Sequence, residues 1–416
     1  MSTSAIDIKA PTRLPAYGVF AALLSAAGLP IYIHAPKFYV DEYGVSLVAL
    51  GTVLFVLRLL DVVQDPLFGR LSERYRHNRK SMVFAGCVVI AAGMIGLFAV
   101  PPLLPPLIWF GLMLTLVFSA FSFLTINFYA QGVLKADDLG NQGHLRLARW
   151  RETGALLGVC VAAIAPVVLG NFMGAPFAGF AVGFALLAGL SIVMMQNEWG
   201  AGHVQASTGF GRVLRDPIAR RLLLVAMINA APVAVSSTLF LFFVETRLAA
   251  PGFEGPLLLV FFLSAACAAP VWSHLAERFG AKPVLLSAMA LSIVSLAFAL
   301  TLGAGDWVAF AIICLASGAA LGADLTLLPA LFATRMAQIS PSAAEGFGLW
   351  SFVSKFTLAF AAVALLPTLQ FAGFQSGSQN NPESALTMLT LLYAGVPCAL
   401  KAIAMLLFAA TKLEET

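Results

Sequence analysis

The chain has 416 residues, of which 60% are hydrophobic and only 11% charged, and its net charge is +4. Soluble domains carry about 25% charged residues, so the composition excludes a water-soluble globular fold and leaves a lipid bilayer as the solvent for most of the surface. The five cysteines (Cys87, Cys160, Cys267, Cys314 and Cys398) stand singly in apolar runs with no CxxC pair or His/Cys cluster, a pattern without a disulfide framework or a metal box.

Met1–Ala16 lacks the basic region, short apolar core and cleavage site of a signal peptide. Apolar runs of roughly 20 residues, the length that crosses a bilayer, then predict spans at 16–39, 46–70, 82–101, 106–133, 146–168 and 176–195. After a polar stretch they resume at 217–244, 256–276, 283–303, 307–333, 346–369 and 385–411. The expected fold is an all-α membrane protein of twelve transmembrane helices in two six-helix bundles, 1–196 and 217–416, joined by a linker over 197–216. With the N-terminus inside, the inner loops hold Arg70, Arg74, Arg76, Arg79, Lys80, Lys135, Arg212, Arg215, Arg278, Lys282 and Arg335, against Lys37 and Arg247 outside. That bias predicts a multi-pass protein of the cell inner (cytoplasmic) membrane with both termini cytoplasmic.

The halves repeat. Asp65-Pro66-Leu67-Phe68-Gly69 leads to Glu73-Arg74 and Arg79-Lys80, and Ala269-Pro270-Val271-Trp272-Ser273 leads to Glu277-Arg278 and Lys282. Pro66 and Pro270, Glu73 and Glu277, and Arg74 and Arg278 are separated by one constant interval, as in parallel six-span repeats around a central site. Gly69-xxx-Glu73-Arg74-xxxx-Arg79-Lys80 resembles the signature loop of the major facilitator superfamily, with Glu73 in place of the usual Asp. Acid and base at neighbouring helix ends can pair in one conformation and part in the other. Gly69, Glu73, Arg74, Glu277 and Arg278 are therefore the expected gating residues, Glu73 and Arg74 foremost.

A charge at the bilayer centre costs on the order of 2.5–3.5 kcal/mol, so Arg58, Asp61, Asp65, Glu152, Asp324, Lys355 and Lys401 each call for a function or a partner. Residues three and four apart share a helix face, which puts Arg58, Asp61 and Asp65 on one stripe with Gln64 beside it. With Arg58 cancelling one carboxylate, one negative charge remains for a monovalent cation or a proton, and the Gln64 oxygen would be a further ligand for a hard cation. At the repeat interval Asp61 and Asp65 become Ala265 and Ala269, an asymmetry that favours function over a packing lock. Lys355 in the eleventh span and its repeat mate Arg151 are expected to face a central cavity. Asp324 is expected to serve function or conformation, whereas Lys401 suits function and packing equally.

Arg58-xx-Asp61-xxx-Asp65-Pro66-xx-Gly69 resembles the second-helix motif of the glycoside–pentoside–hexuronide:cation symporter family, the melibiose-permease-like branch. Tyr17-Gly18, Asn127-Phe128-Tyr129-Ala130, Trp150-Arg151-Glu152, Gly322-Ala323-Asp324 and Lys355 are similar to further patterns of that family. The resemblance implies cation-coupled symport by alternating access, with Asp61, Asp65, Gln64 and Thr125 at the cation. It also implies a solute cavity lined by Arg151, Glu152, Asn127, Lys355, Tyr129 and Trp350, with Arg58, Asp324 and Lys401 as charge partners. Ser25 and Thr125 stand where melibiose-type members carry sugar-binding aspartates, and Gln64 where an Asn assists sodium. These departures weaken the case for a galactoside and for Na⁺ over H⁺, and leave a lysolipid carrier or a proton-driven exporter as alternatives. The histidines form no catalytic group, so no enzyme activity is expected. The expected partners are the bilayer, a small-molecule substrate and a coupling cation (H⁺ or Na⁺), with no cofactor, metal or nucleic acid, the protein acting as a monomer.

Overall fold

The computed structural model describes residues 13–136, 139–140, 142–200, 210–339, 343–374 and 381–412, and these residues form helices and turns without strands. The first span is broken into α1 (Leu14–Ala26) and α2 (Leu29–Tyr43), because Pro30 lacks the N–H and the space that a continuous helix needs. Then come α3 (Leu47–Arg74), α4 (Arg79–Phe98), α5 (Pro106–Ala136), α6 (Gly143–Gly170) and α7 (Pro176–Met195). Of the linker predicted at 197–216, residues 201–209 lie outside the described set, and the short α8 (Phe210–Arg215) precedes the second half. That half comprises α9 (Pro217–Phe242), α10 (Glu254–Phe279), α11 (Ala281–Phe298), α12 (Trp307–Ile339), α13 (Ala343–Phe371), α14 (Glu383–Thr390) and α15 (Val396–Ala409).

Nine helices among the described residues are long and apolar enough to cross a membrane. The broken first span, together with α3 and α13, some of whose side chains lie outside the described set, completes the twelve. A π-helical turn, Phe243–Arg247, extends α9, and another, Leu391–Gly395, joins α14 to α15. The two turns meet where Phe243 stacks on Tyr393 at 4.2 Å between ring centroids. α5, with 31 residues, is about 46 Å long, more than the ~30 Å hydrocarbon layer requires. It projects into what we term the basic end, the end that carries the Arg- and Lys-rich α3–α4 turn.

Small residues set how closely the helices approach. α1 crosses α6 with Gly18 against Gly154, where an added Cβ would fall on the Gly18 carbonyl oxygen. In the second bundle α12 lies on α10 through Gly318 and Gly322, each facing α10 backbone. Between the bundles α13 runs along α3 and α6 along α10. Gly69 and Gly348 are apposed across the first of these contacts: a Cβ on Gly69 would lie 2.9 Å from the Ala344 carbonyl oxygen, and one on Gly348 3.1 Å from that of Asp65.

At the entry to α9, Asp216 accepts the Ala219 N–H at 2.7 Å as an N-cap. Arg335 of α12 binds the same carboxylate with both arms, at 2.6 and 3.1 Å. Burial raises the Asp216 carboxyl, but the hydrogen bonds from Arg335 and Ala219 outweigh it and hold the group below its ordinary value of 3.8. Its contribution to stability is therefore complete above that value and disappears as pH falls through the lower folded one. Thermal melts of wild type and Arg335→Ala should differ at pH 7 and converge below the folded value; a gap that persists there refutes the assignment. Gly154→Ala should lower the melting temperature, because backbone of α1 must shift at a cost of about 1–3 kcal/mol.

Candidate functional site

The carboxylates of α3 meet the opposite bundle. Asp65 is fully buried and Asp61 is 4% exposed. Lys355 of α13 places Nζ 3.0 Å from Asp65 Oδ2 and 3.8 Å from Asp61 Oδ2. Ser351, one turn earlier on α13, donates to Asp65 Oδ2 at 2.6 Å, and Lys355 also donates to Ser122 of α5. Three helices from two bundles thus converge on one cluster of two carboxylates, an ammonium and two hydroxyls. Charge-assisted bonds in so buried a setting are about twice as strong as neutral ones, so the cluster is a principal tie between α3 and α13.

Gln64 is beside the carboxylates but turned the other way from the expected cation ligand. Its Nε2 donates to Asp61 Oδ1 at 2.7 Å, and its oxygen accepts from Ser119 at 3.0 Å. The side chain thereby presents a donor to a charge that needs one. The side chain of Arg58 lies outside the described residues. Thr125 has a buried hydroxyl without a partner among the described residues, and the α5 hydroxyls of this network belong to Ser119 and Ser122.

Next to this cluster on α5 and α6, Glu152 Oε1 accepts from Arg151 Nε at 2.6 Å and from Tyr129 at 3.0 Å. The Arg151 guanidinium lies 3.8 Å above the Tyr129 ring, a cation–π arrangement. Arg151 Nη2 is buried without a partner among the described residues, so one face of the fork is unused. Asn127, expected to line the cavity, accepts from Ser72 of α3 at 2.6 Å through its oxygen and donates its amide to the Phe123 carbonyl at 2.8 Å. Trp350 packs on Phe332 of α12 with centroids 4.9 Å apart. Asp324 and Lys401 pair with each other inside the second bundle, joined by Asn229, and not with the α3 carboxylates.

At the basic end Glu73 pairs with Arg76 at 3.0 Å and Arg79 at 3.9 Å. Its sequence neighbour Arg74 instead approaches the Tyr75 ring at 5.9 Å. Arg79 also donates to Gln131 Oε1 at 3.3 Å and to the Gly200 carbonyl at 3.4 Å, so the α3–α4 turn is tied to α5 and to the end of α7. Across the bundles Glu277 faces Arg149 of α6 at 3.8 Å, and its carbonyl accepts from Gln142 at 2.7 Å. Arg278 is exposed at the end of α10. Tyr129 packs against Phe347 of α13, 5.0 Å between centroids. The bundles are therefore in contact at the basic end.

Sequence reasoning missed Ser122, Ser351, Ser119, Arg149 and Asn229. Ser351 was within reach, being one turn from Lys355 and so on its face. The others are ordinary residues until a distant helix arrives.

Twelve helices in two bundles, joined across a buried charged cluster, define a membrane transporter of the major-facilitator architecture. The chain belongs to the MFS/sugar transport protein family, whose model matches residues 14–415. Solved structures agree in fold. A bacterial homologue of the iron transporter ferroportin in an outward-facing state gives a TM-score of 0.71 at 14% identity, over 96% of this chain and 99% of that one. The same homologue with soaked iron gives 0.69 at 14% identity, over 96% and 99%. FucP, a Major Facilitator Superfamily transporter in the outward conformation, gives 0.63 at 13% identity, over 94% and 98%. No curated protein sequence matches the chain.

Opening of the basic end should respond to two substitutions by different amounts. The Arg149–Glu277 pair is 31% and 18% exposed, and such pairs contribute up to about 1 kcal/mol. Glu277→Gln should therefore raise the open population by no more than about fivefold. Gly69→Val forces backbone apart and should raise it further. Labelling of a cysteine introduced beside Gly348 measures both, and equal labelling in the two variants contradicts this ranking.

Proposed function

We propose that the protein is a cation-coupled symporter for a small organic solute such as a sugar or glycoside, working by alternating access. The observation that carries this reading is Lys355 of one bundle held by Asp65 and Asp61 of the other. A monovalent cation or proton at the carboxylates competes with Lys355 for them and weakens their hold on it. Ion occupancy and the α3–α13 contact then belong to one equilibrium, which is what coupling requires. Arg151, with its unused Nη2, and Tyr129 and Glu152 beside it are the solute contacts of the first bundle. The family match supports a sugar-type solute. The loop charges support an inner-membrane protein with cytoplasmic termini, and the reading needs only a monomer.

Proteoliposome flux under imposed pH or sodium gradients, across a panel of sugars, glycosides and lysolipids, tests the proposal. Wild type should accumulate solute against its gradient, whereas Asp61→Asn should only equilibrate it. Concentrative uptake by Asp61→Asn removes the coupling assignment. Specific transport of lysolipids alone replaces the solute class, and accumulation only against the ion gradient reverses the direction to export. Lys355→Ala leaves Asp65 buried without its cation, a loss on the order of 3–5 kcal/mol, and should abolish coupling as completely as Asp61→Asn.

A further inference from the structure

The charged pair inside the second bundle takes no part in the site between the bundles. Lys401 on α15 is 1% exposed, and Asp324 on α12 is 8% exposed. The ammonium donates to Asp324 Oδ2 and, at 2.7 Å, to Asn229 Oδ1 on α9. Asp324 Oδ1 is buried and has no hydrogen-bond partner among the described residues. Leaving an acceptor bare in this way costs roughly 1–3 kcal/mol. Apolar side chains of similar volume often hold helices together as well as a buried ion pair does, so packing alone does not account for the pair.

The geometry limits what the bare oxygen can take. A metal ion needs several oxygens, but Asp324 Oδ2 and Asn229 Oδ1 both already accept from Lys401, and no group of three metal-binding side chains occurs among the described residues. A proton needs one lone pair and almost no space. We propose that Asp324, Lys401 and Asn229 form a second proton site, which binds H⁺ at Asp324 Oδ1 and communicates with the α3–α13 contact.

Across the bundle contact α12 also meets α5 and α6, whose Tyr129, Arg151 and Glu152 bond one another and whose Arg149 pairs with Glu277; the elements of the second bundle bring no competing charge at this level. α9 has no ionisable side chain beyond Arg221, α10 has only Cys267 between Glu254 and His274, and α11 has none after Lys282. On α12 the neighbours are Cys314 and Arg335, nearly three turns away on either side, and on α15 Cys398 bonds the Ile293 carbonyl. Tyr393 stacks on Phe243, and the charges of α13 are Glu345 near its start and Lys355, which faces Asp65. A proton taken from water therefore changes the pair from neutral to +1. Lys401 is then buried without a counter-ion, and arrangements that admit water to it are favoured. The helices that carry the two sites are in contact: α9, with Asn229, packs along α13, with Lys355, and Thr357 of α13 donates to the Met227 carbonyl of α9 at 3.3 Å.

The test is an infrared pH titration of the purified protein in lipid nanodiscs, in an Asp61→Asn/Asp65→Asn background and without solute. A component of the carboxylic-acid band should grow as pH falls and be missing from the difference spectrum when Asp324→Asn is added. Lys401→Met should raise its midpoint by at least about one pH unit, a tenfold gain in proton affinity, because a neighbouring cation has been removed. If Asp324→Asn does not fold, Lys401→Met and Lys401→Arg are read against each other, and only the charge-removing variant should produce that rise. With Asp61 and Asp65 intact, the distance between spin labels on α3 and α13 at the basic end should lengthen as pH falls, and Lys401→Met should move that change together with the band component. A carboxylic-acid band with no component that responds to Asp324 and Lys401 overturns the site; a label distance indifferent to Lys401→Met overturns the communication. Because Asp61 and Asp65 are absent from the infrared background, the band result stands whether or not they carry the coupling ion.

Discussion

An ammonium from one bundle held by two carboxylates of the other is the interaction on which the rest of this molecule depends. Asp65 is fully buried and spans Lys355 and Ser351 with its two oxygens, and Asp61 shares the lysine. In a low-dielectric setting such a cluster tolerates little change in charge without a change in geometry. It also sits one to two turns from the close approach of Gly69 to Gly348, so electrostatics and backbone packing act on the same pair of helices.

The basic end is held differently. Its cross-bundle ion pair, Arg149–Glu277, is partly exposed and long at 3.8 Å, so screening leaves it a small share of the energy. The larger share belongs to the surfaces that the glycines bring together and to Tyr129 against Phe347. The arginines of the α3–α4 turn serve chiefly within their own bundle, where Arg79 ties Glu73, Gln131 and the Gly200 carbonyl together. These ties lie within the first bundle and leave its contact with the second to packing.

Much of the fold was legible in the sequence because membrane spans are a one-dimensional signal. The runs predicted at 106–133, 176–195 and 307–333 are α5 (Pro106–Ala136), α7 (Pro176–Met195) and α12 (Trp307–Ile339). The run at 176–195 coincides with α7, whereas α5 and α12 continue past the predicted ends by residues that include Lys135, Arg335 and Gln338, which hydropathy does not register. The break in the first span follows from Pro30, which hydropathy does not weigh, and the π-helical turns at Phe243–Arg247 and Leu391–Gly395 lie where Phe243 and Tyr393 stack, a contact between distant segments.

The sequence by itself determined that this is a twelve-span membrane protein and that its membrane-buried charges lie on particular helices. Both follow from lipid, which admits only helices of a set length here and penalises every charge. The tertiary structure alone decided the partners. Lys355 belongs to Asp65, Lys401 to Asp324, Glu73 to Arg76 and Arg79, and Asn127 to Ser72. Helical periodicity states which face a side chain occupies but not which helix that face will meet, and the meeting is settled by where glycines allow two backbones to touch.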